Sequence, residues 1–422
     1  MTMNEFPQGH AASKAGAGGP LQGVKVIELA HVMAGPTCGR MLADMGADVI
    51  KVEKVPGGDD TRRDIVPGEA DDQSSHAFMM MNRNKRGVAI NLKTPSGRAV
   101  LCRLLETADV LIENYRHDTM ARLGLGWDDL KTEFPRLIYC AVSGFGRSGP
   151  YAERAGFDLI AQGMTGLMSI TGEEDARAPV KVGPPITDIA AGLLAAMGVT
   201  AALFARQTTG RGQFVDTSLL EAGVIFTYWH SAMAFATGSC PGPLGSAHPL
   251  STPYQAYRTA DGWITLGAAS ESNWRRFAVE SGYPALAEDA RFADNASRMA
   301  NKAALDSVLE PIFRSRSTVD WLSVLEAIGV PAGPIMTVSE MHKDPQVLAR
   351  QMVPTLEHPR RGAVPTIGFP IKFSDTPVEI RRAAPDYGQH TAEVMRQHGF
   401  SAAEISKLST SGDVLTGLTE GN

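Results

Sequence analysis

Residues 23–54, GVKVIELAHVMAGPTCGRMLADMGADVIKVEK, decide the fold class. Val24 to Ala30 is a compact, largely apolar run of strand length. Pro36 suits the first turn of a helix predicted to reach about Met45, Gly46 ends it, and Val49 to Glu53 makes a second strand. The alternation recurs: strand Val88 to Leu92, helix Ser96 to Ala108, strand Val110 to Asn114, a short helix near Trp127, strand Leu137 to Val142. Strands alternating with helices predict an α/β fold, a parallel sheet with helices on its faces. Ligands of such sheets sit beyond the carboxyl ends of the strands. The positions to watch are therefore His31 to Met33, Lys54, Lys93 and Asn114 to Arg116.

Further along, RQTTGRGQFVDTSLLEAGV supplies a basic, glycine-bearing turn, a short strand and a helix. The character then changes. TPYQAYRTADGWITLGAAS is a hairpin signal around Asp261-Gly262, and amphipathic helices follow from about Glu271 to Ile328. The expected division is a tail over 1–20, a large domain beginning at 21–205, a linker at 206–224, and an inserted smaller α+β domain at 225–330. Residues 331–422 then form a second linker and the returning part of the large domain. HPRRGAVPTIGFPIKFS shows strand-like alternation, and a helix is expected near Thr391 to His398.

The chain has 422 residues, 43% hydrophobic and 20% charged, enough for two or three domains with full cores. A net charge of −6 provides no global basic field for nucleic acid or an anionic membrane. Cys38, Cys102, Cys140 and Cys240 form no CxxC pair, which fits free thiols in a reducing cytoplasm. The first twenty residues lack the continuous apolar stretch of a signal peptide. Ile189 to Ala205, IAAGLLAAMGVTAALFA, approaches the length of a membrane span but is mostly Ala and Gly. A buried helix packed closely through Gly192, Ala196 and Gly198 is the expectation.

Several chemistries lack their signatures. AHVMAGPTCG has glycines but no GxGxxG, so Glu53 at the end of the second strand does not by itself indicate NAD. VSGFGRSG lacks the spacing of a hydrolase nucleophile elbow, so its serines are read as turn residues. His31, His230 and His248 show no metal-ligand spacing. The basic residues Lys54, Lys85, Arg86, Lys93, Arg116 and Arg122 would gather at one rim of a parallel sheet. With Asn114 and Tyr115 they could hold the phosphorylated adenine nucleotide of coenzyme A, because charge-assisted bonds to phosphate are strong. In KVGPPITDIAAG, Asp188 opens the apolar helix, where a carboxylate suits a helix cap.

LQGVKVIELAHVMAGP, GADVIKVEK, MNRNKRGVAINLK, ADVLIENYR, ARLGLGW, TGRGQFVDTSLLEA, GVPAGPI and GQHTAEV occur in this order. Over residues 20 to 400 the chain thereby resembles the class III CoA-transferase family, the carnitine dehydratase/bile-acid-inducible family typified by formyl-CoA transferase. The resemblance implies a Rossmann-like large domain built from both chain ends, an inserted small domain and an interlocked homodimer. It implies Asp188 as nucleophile and CoA contacts at Val32, Met33, Lys54, Lys93, Asn114, Tyr115, Arg116 and Arg122. CoA is then a co-substrate, with no metal, NAD or other cofactor.

Two departures bear on substrate. Met33 stands where formyl-CoA transferase has glutamine, and GSAHPLSTPYQAY replaces its glycine-rich loop. Both resemble members that use succinyl-CoA and a dicarboxylate, with formyl-CoA:oxalate transfer as the alternative. His31, Asp158 and His248 are candidate substrate contacts, with Arg154 and Arg258 as candidate cations for a distal carboxylate. An α-methylacyl-CoA racemase would share the fold, but GFDLIAQ places Phe157 where it would need a histidine.

Overall fold

The computed structural model describes residues 18–64, 75–174 and 178–417. The tail expected over 1–20 lies outside the described residues except for Gly18–Pro20. The main sheet has seven strands: β1 (Lys25–Leu29), β2 (Asp48–Lys54), β3 (Lys85–Ile90), β4 (Val110–Glu113), β5 (Ile138–Ser143), β6 (Phe214–Ser218) and β7 (Val414–Leu415). Their spatial order is 7-3-2-1-4-5-6. Strands β1 to β6 run parallel, and β7 pairs antiparallel with β3.

Alternate residues of each strand feed opposite faces, as the two-residue period of a strand requires. Val26, Val49, Val110 and Cys140 join one core; Ile27, Ile50, Leu111 and Tyr139 join the other. Five helices matter for the site: α1 (Ala34–Asp44), α2 (Pro95–Leu105), α3 (Asp158–Met164), α4 (Ile186–Thr209) and α5 (Leu219–Ile225). The first core contains residues of α1, α3, α4 and α5, and the second contains α2 together with Val394, Met395 and Ile405 from near the carboxyl end. Both faces are therefore covered, which suits a parallel sheet.

Helix α4 owes its position to small residues. A Cβ on Gly192 would lie 2.5 Å from the Ala34 carbonyl oxygen and 2.6 Å from Thr37 Cβ, so α4 crosses the first turn of α1 at backbone distance. On Gly198 it would meet Val215 of β6 at 2.8 Å. Ala191, Ala195 and Ala202 are buried between them. The helix is long and apolar enough to cross a membrane, and this close packing accounts for its composition.

Contacts divide the chain into two compact units, one spanning Met1–Thr165, Gly183–Phe226 and Gln346–Asn422, the other Gly166–Val182 and Thr227–Pro345. The second unit has its own antiparallel sheet, strands Tyr254–Arg258, Trp263–Gly267 and Ala332–Pro334. Its core stacks Tyr257 on Phe313 and Phe313 on Phe277, with Trp321 against both phenylalanines.

Three expectations need correction. The stretch 206–224 is not a linker: it contains β6 and most of α5, and β6 closes one edge of the main sheet. β3 begins at Lys85 rather than Val88, which removes Lys85 and Arg86 from the carboxyl rim. Lys85 is fully buried with its Nζ 2.7 Å from Glu28, and Arg86 pairs with Asp48 and Glu393. Finally, the alternation over 358–374 yields strand only to Pro365, in a hairpin of Thr355–His358 with Gly362–Pro365.

Candidate active site

Strand order reverses between β1 and β4, the place where an open parallel sheet leaves a crevice at its carboxyl edge. A cleft of about 460 Å³ lies there, lined by His31 to Ala34 after β1, Asn114 to His117 and Thr119 after β4, and Val142 to Gly144 at the end of β5. Asp60, Ala152, Arg154 to Phe157, Asp188 and Leu219 complete it.

Asp188 is the third residue of α4. It does not cap the helix. The N-cap position is Pro185, with no side-chain cap, and the Thr187 N–H is taken instead by Asp158, which opens α3. Asp158 Oδ1 accepts that N–H at 2.9 Å and the Thr187 hydroxyl at 2.8 Å, while Gln162 donates to its Oδ2 at 2.7 Å. Asp158 is buried and does not line the cleft; it secures the helix start. Asp188 makes no side-chain hydrogen bond or ion pair with the described residues. Burial, then the neighbouring Asp158 carboxylate, push its carboxyl up to about 7.

The β1–α1 loop forms one lip. Val32 has φ +66°, a conformation that costs a β-branched residue about 1–2 kcal/mol. Met33 is the N-cap of α1 and supplies no side-chain cap. The first N–H groups of α1, without intrahelical partners, stand beside the cleft. Asn114 does not hold its amide free for a ligand. Its Oδ1 accepts the His31 N–H at 3.0 Å and its Nδ2 donates to the His31 carbonyl at 2.8 Å.

Tyr115 is clamped too. Its N–H donates to Glu113 Oε2 at 2.9 Å, and Arg147 Nη2 reaches its carbonyl at 2.9 Å. Arg147 also pairs with Glu113 at 2.6 Å, yet burial raises the Glu113 carboxyl to about 7. The Tyr115 ring meets His31 edge-on at 5.0 Å, and desolvation lowers the His31 pKa, favouring neutral imidazole.

The exposed Arg116 lines the cleft, whereas Lys54, Lys93 and Arg122 do not. Lys54 pairs with Asp60 at 2.8 Å and Arg122 with Asp118 at 3.2 Å; Lys93 is exposed three residues beyond the end of β3. Arg154 lines the cleft with its guanidinium 3.9 Å above the Tyr151 ring. His248 and Arg258 belong to the second unit, where His248 packs edge-on against Trp229 and Tyr254. The exposed Phe157 also lines the cleft.

Sequence reading missed Asp59, Glu113 and Arg147. The signals were an acid after Gly57-Gly58, an acid ending an apolar strand, and an arginine inside VSGFGRSG. Glu53, the acid a dinucleotide would need, is taken by Arg62 at 2.6 Å.

The basic side chains thus do not define this site; a carboxylate without a hydrogen-bond partner among the described residues, set at a helix start in the sheet crevice, does. The family model for CoA-transferase family III matches residues 21–391. The chain belongs to that family. This CoA-transferase is 41% identical over 382 residues to the succinate–glutarate CoA-transferase of Agrobacterium fabrum, covering 90% of this chain and 95% of that protein. It is 35% identical over 394 residues to the succinyl-CoA:glutarate CoA-transferase of Mus musculus, covering 93% and 90%. Among solved structures, a CAIB/BAIF family protein from Brucella suis matches with TM-score 0.79 and 40% identity, covering 90% of this chain and all of that one.

Proposed function

We propose that this CoA-transferase moves CoA from succinyl-CoA to a dicarboxylate such as glutarate, with Asp188 as the nucleophile. The observation that carries the mechanism is the Asp188 carboxylate itself, unpartnered and lining the crevice at the start of α4. An Asp188 oxygen attacks the thioester carbon, forming a mixed anhydride and releasing CoA thiolate. The thiolate then attacks the aspartyl carbonyl, giving an aspartyl-CoA thioester and the free donor acid. The acceptor carboxylate displaces CoA to form a second anhydride, and the thiolate takes the acceptor's own carbonyl, restoring Asp188. Each step exchanges one acyl bond for another, so the thioester energy is not lost to water. The first turns of α1 and α4 favour negative charge, and the N–H groups of Ala34 and Gly35 at the start of α1 are the donors for the oxyanions. The steps require neither metal nor redox cofactor.

Arg116 is assigned to CoA phosphate and Arg154 to the acceptor's distal carboxylate, the latter supported by its place in the cleft and its stacking on Tyr151. The named relatives support the substrate class. Exposed Leu193, Met197 and Phe204 on α4, with Phe157, Leu159, Ile160 and Met164 around α3, support a homodimer that covers these faces, interlocked as in the family. Four unpaired cysteines support a cytoplasmic enzyme. Hydroxylamine added with succinyl-CoA should leave a hydroxamate on the peptide containing Asp188. A label on Asp158 instead would move the nucleophile.

A further inference from the structure

Val32 is held left-handed although its side chain is 43% exposed, so packing does not fix it. Side chains from elsewhere hold the backbone around it, residue by residue. Lys51 of β2 donates to the Ala30 carbonyl at 2.8 Å, Asn114 clamps both polar groups of His31, and Asp59 Oδ1 accepts the Val32 N–H at 3.3 Å.

Asp59 is itself locked. It follows Gly57 and Gly58, both at positive φ, and a Cβ on Gly58 would lie 2.8 Å from Glu53 Oε2. The Asp59 N–H donates to that same Glu53 oxygen at 2.8 Å. Thr61 donates twice to Asp59 Oδ1, at 3.0 and 2.8 Å, and Asp59 Oδ2 lies 2.9 Å from Lys51 Nζ. Lys51, fully buried, also pairs with Glu28 at 3.1 Å. None of Asp59, Lys51 and Glu28 lines the cleft.

We infer that Asp59 is a positioning residue: anchored on Lys51, it holds the Val32 N–H and thereby keeps the β1–α1 loop in the strained turn that presents the start of α1 to the cleft beside Asp188. Without it, Val32 is free to relax to negative φ, carrying Met33 and Ala34 with it. The inference rests on the cleft being the acyl-transfer site.

The test compares Asp59→Ala, Asp59→Asn and Asp59→Ala with Val32→Gly, in succinyl-CoA-to-glutarate transfer, with circular dichroism to check the fold. Asp59→Ala should lower kcat about 10- to 100-fold, as sub-ångström to ångström displacements do, while KM for succinyl-CoA changes much less. Asp59→Asn keeps an acceptor for Val32 but turns an amide NH2 towards Lys51 Nζ, so its kcat should lie between those of wild type and Asp59→Ala. Glycine takes positive φ without strain, so adding Val32→Gly to Asp59→Ala should recover about tenfold or more. A folded Asp59→Ala enzyme with unchanged kcat overturns the inference, as does a double variant no better than the single one. If Asp59→Ala does not fold, Asp59→Asn decides: kcat that is kept, or lost and recovered on adding Val32→Gly, supports the latch, and a loss in a folded protein that Val32→Gly does not recover overturns it. Failure of the underlying reading looks different, as a wild-type enzyme that exchanges no CoA at all.

Discussion

Two influences oppose each other at Asp188. Burial and Asp158 raise its pKa to about 7, while the start of α4 favours the anion it must become to attack. Turnover should therefore fall as pH drops through about 7, seen as an acid limb in kcat/KM. Asp158→Asn removes the like charge and should move that limb to lower pH; an unmoved limb means burial alone sets it. Asp188→Asn should abolish transfer without loss of fold. Its stability should also change with pH in a defined direction. The folded-state pKa lies above the ordinary aspartate value of 3.8, so wild type loses stability as pH rises from 3.8 to about 7 and holds that loss beyond. Lacking this cost, Asp188→Asn should melt higher than wild type at pH 8, the gap closing as pH falls towards 3.8. At Arg154, Arg154→Gln should raise KM for glutarate at least tenfold while leaving KM for a monocarboxylate acceptor near wild type, measured with an acetyl-CoA donor. Equal effects on both acceptors would remove Arg154 from the distal-carboxylate role.

The juxtaposition of α1 and α4 rests on Gly192. Gly192→Ala would force the Ala34 carbonyl and Thr37 apart, and should cost about 1–3 kcal/mol in a denaturant titration and lower kcat. Elements with an unbroken pattern were legible: β1, α1 and β2 lie within a few residues of their expected ends because both periods appear cleanly in 23–54. That Asp188 opens the apolar helix is legible from its place at the head of the run, whereas a role as nucleophile comes only from the family resemblance. Its missing cap was not legible, because the Thr187 N–H finds its acceptor 29 positions earlier, at Asp158. β3 was shortened for a similar reason. Lys85 and Arg86 read as surface charges until Glu28, Asp48 and Glu393, all distant in sequence, neutralise them. The short strand and helix within 206–224 are legible in the sequence, but their place in the large domain is not, because β6 finds its partner β5 far back in the chain, Phe214 opposite Tyr139.

For the whole molecule, exposed apolar side chains on α3 and α4 predict a dimer with no stable folded monomer. Sedimentation should show a single dimeric species on dilution to nanomolar concentration, and a folded monomer there would refute it. The carboxyl-terminal segment also matters to the first unit. Arg83 is fully buried; its Nη2 pairs with Asp44 at 2.6 Å, but its Nη1 donates to Thr366 Oγ1 at 3.0 Å and to the Ile367 carbonyl. Every residue lining the cleft lies between His31 and Leu219. During synthesis the ribosome therefore releases the whole cleft before it has made the acceptors for one guanidinium in its scaffold. Until residue 367 emerges, a nascent chain that already carries the cleft-lining residues still lacks two of the acceptors that this guanidinium uses in the finished fold.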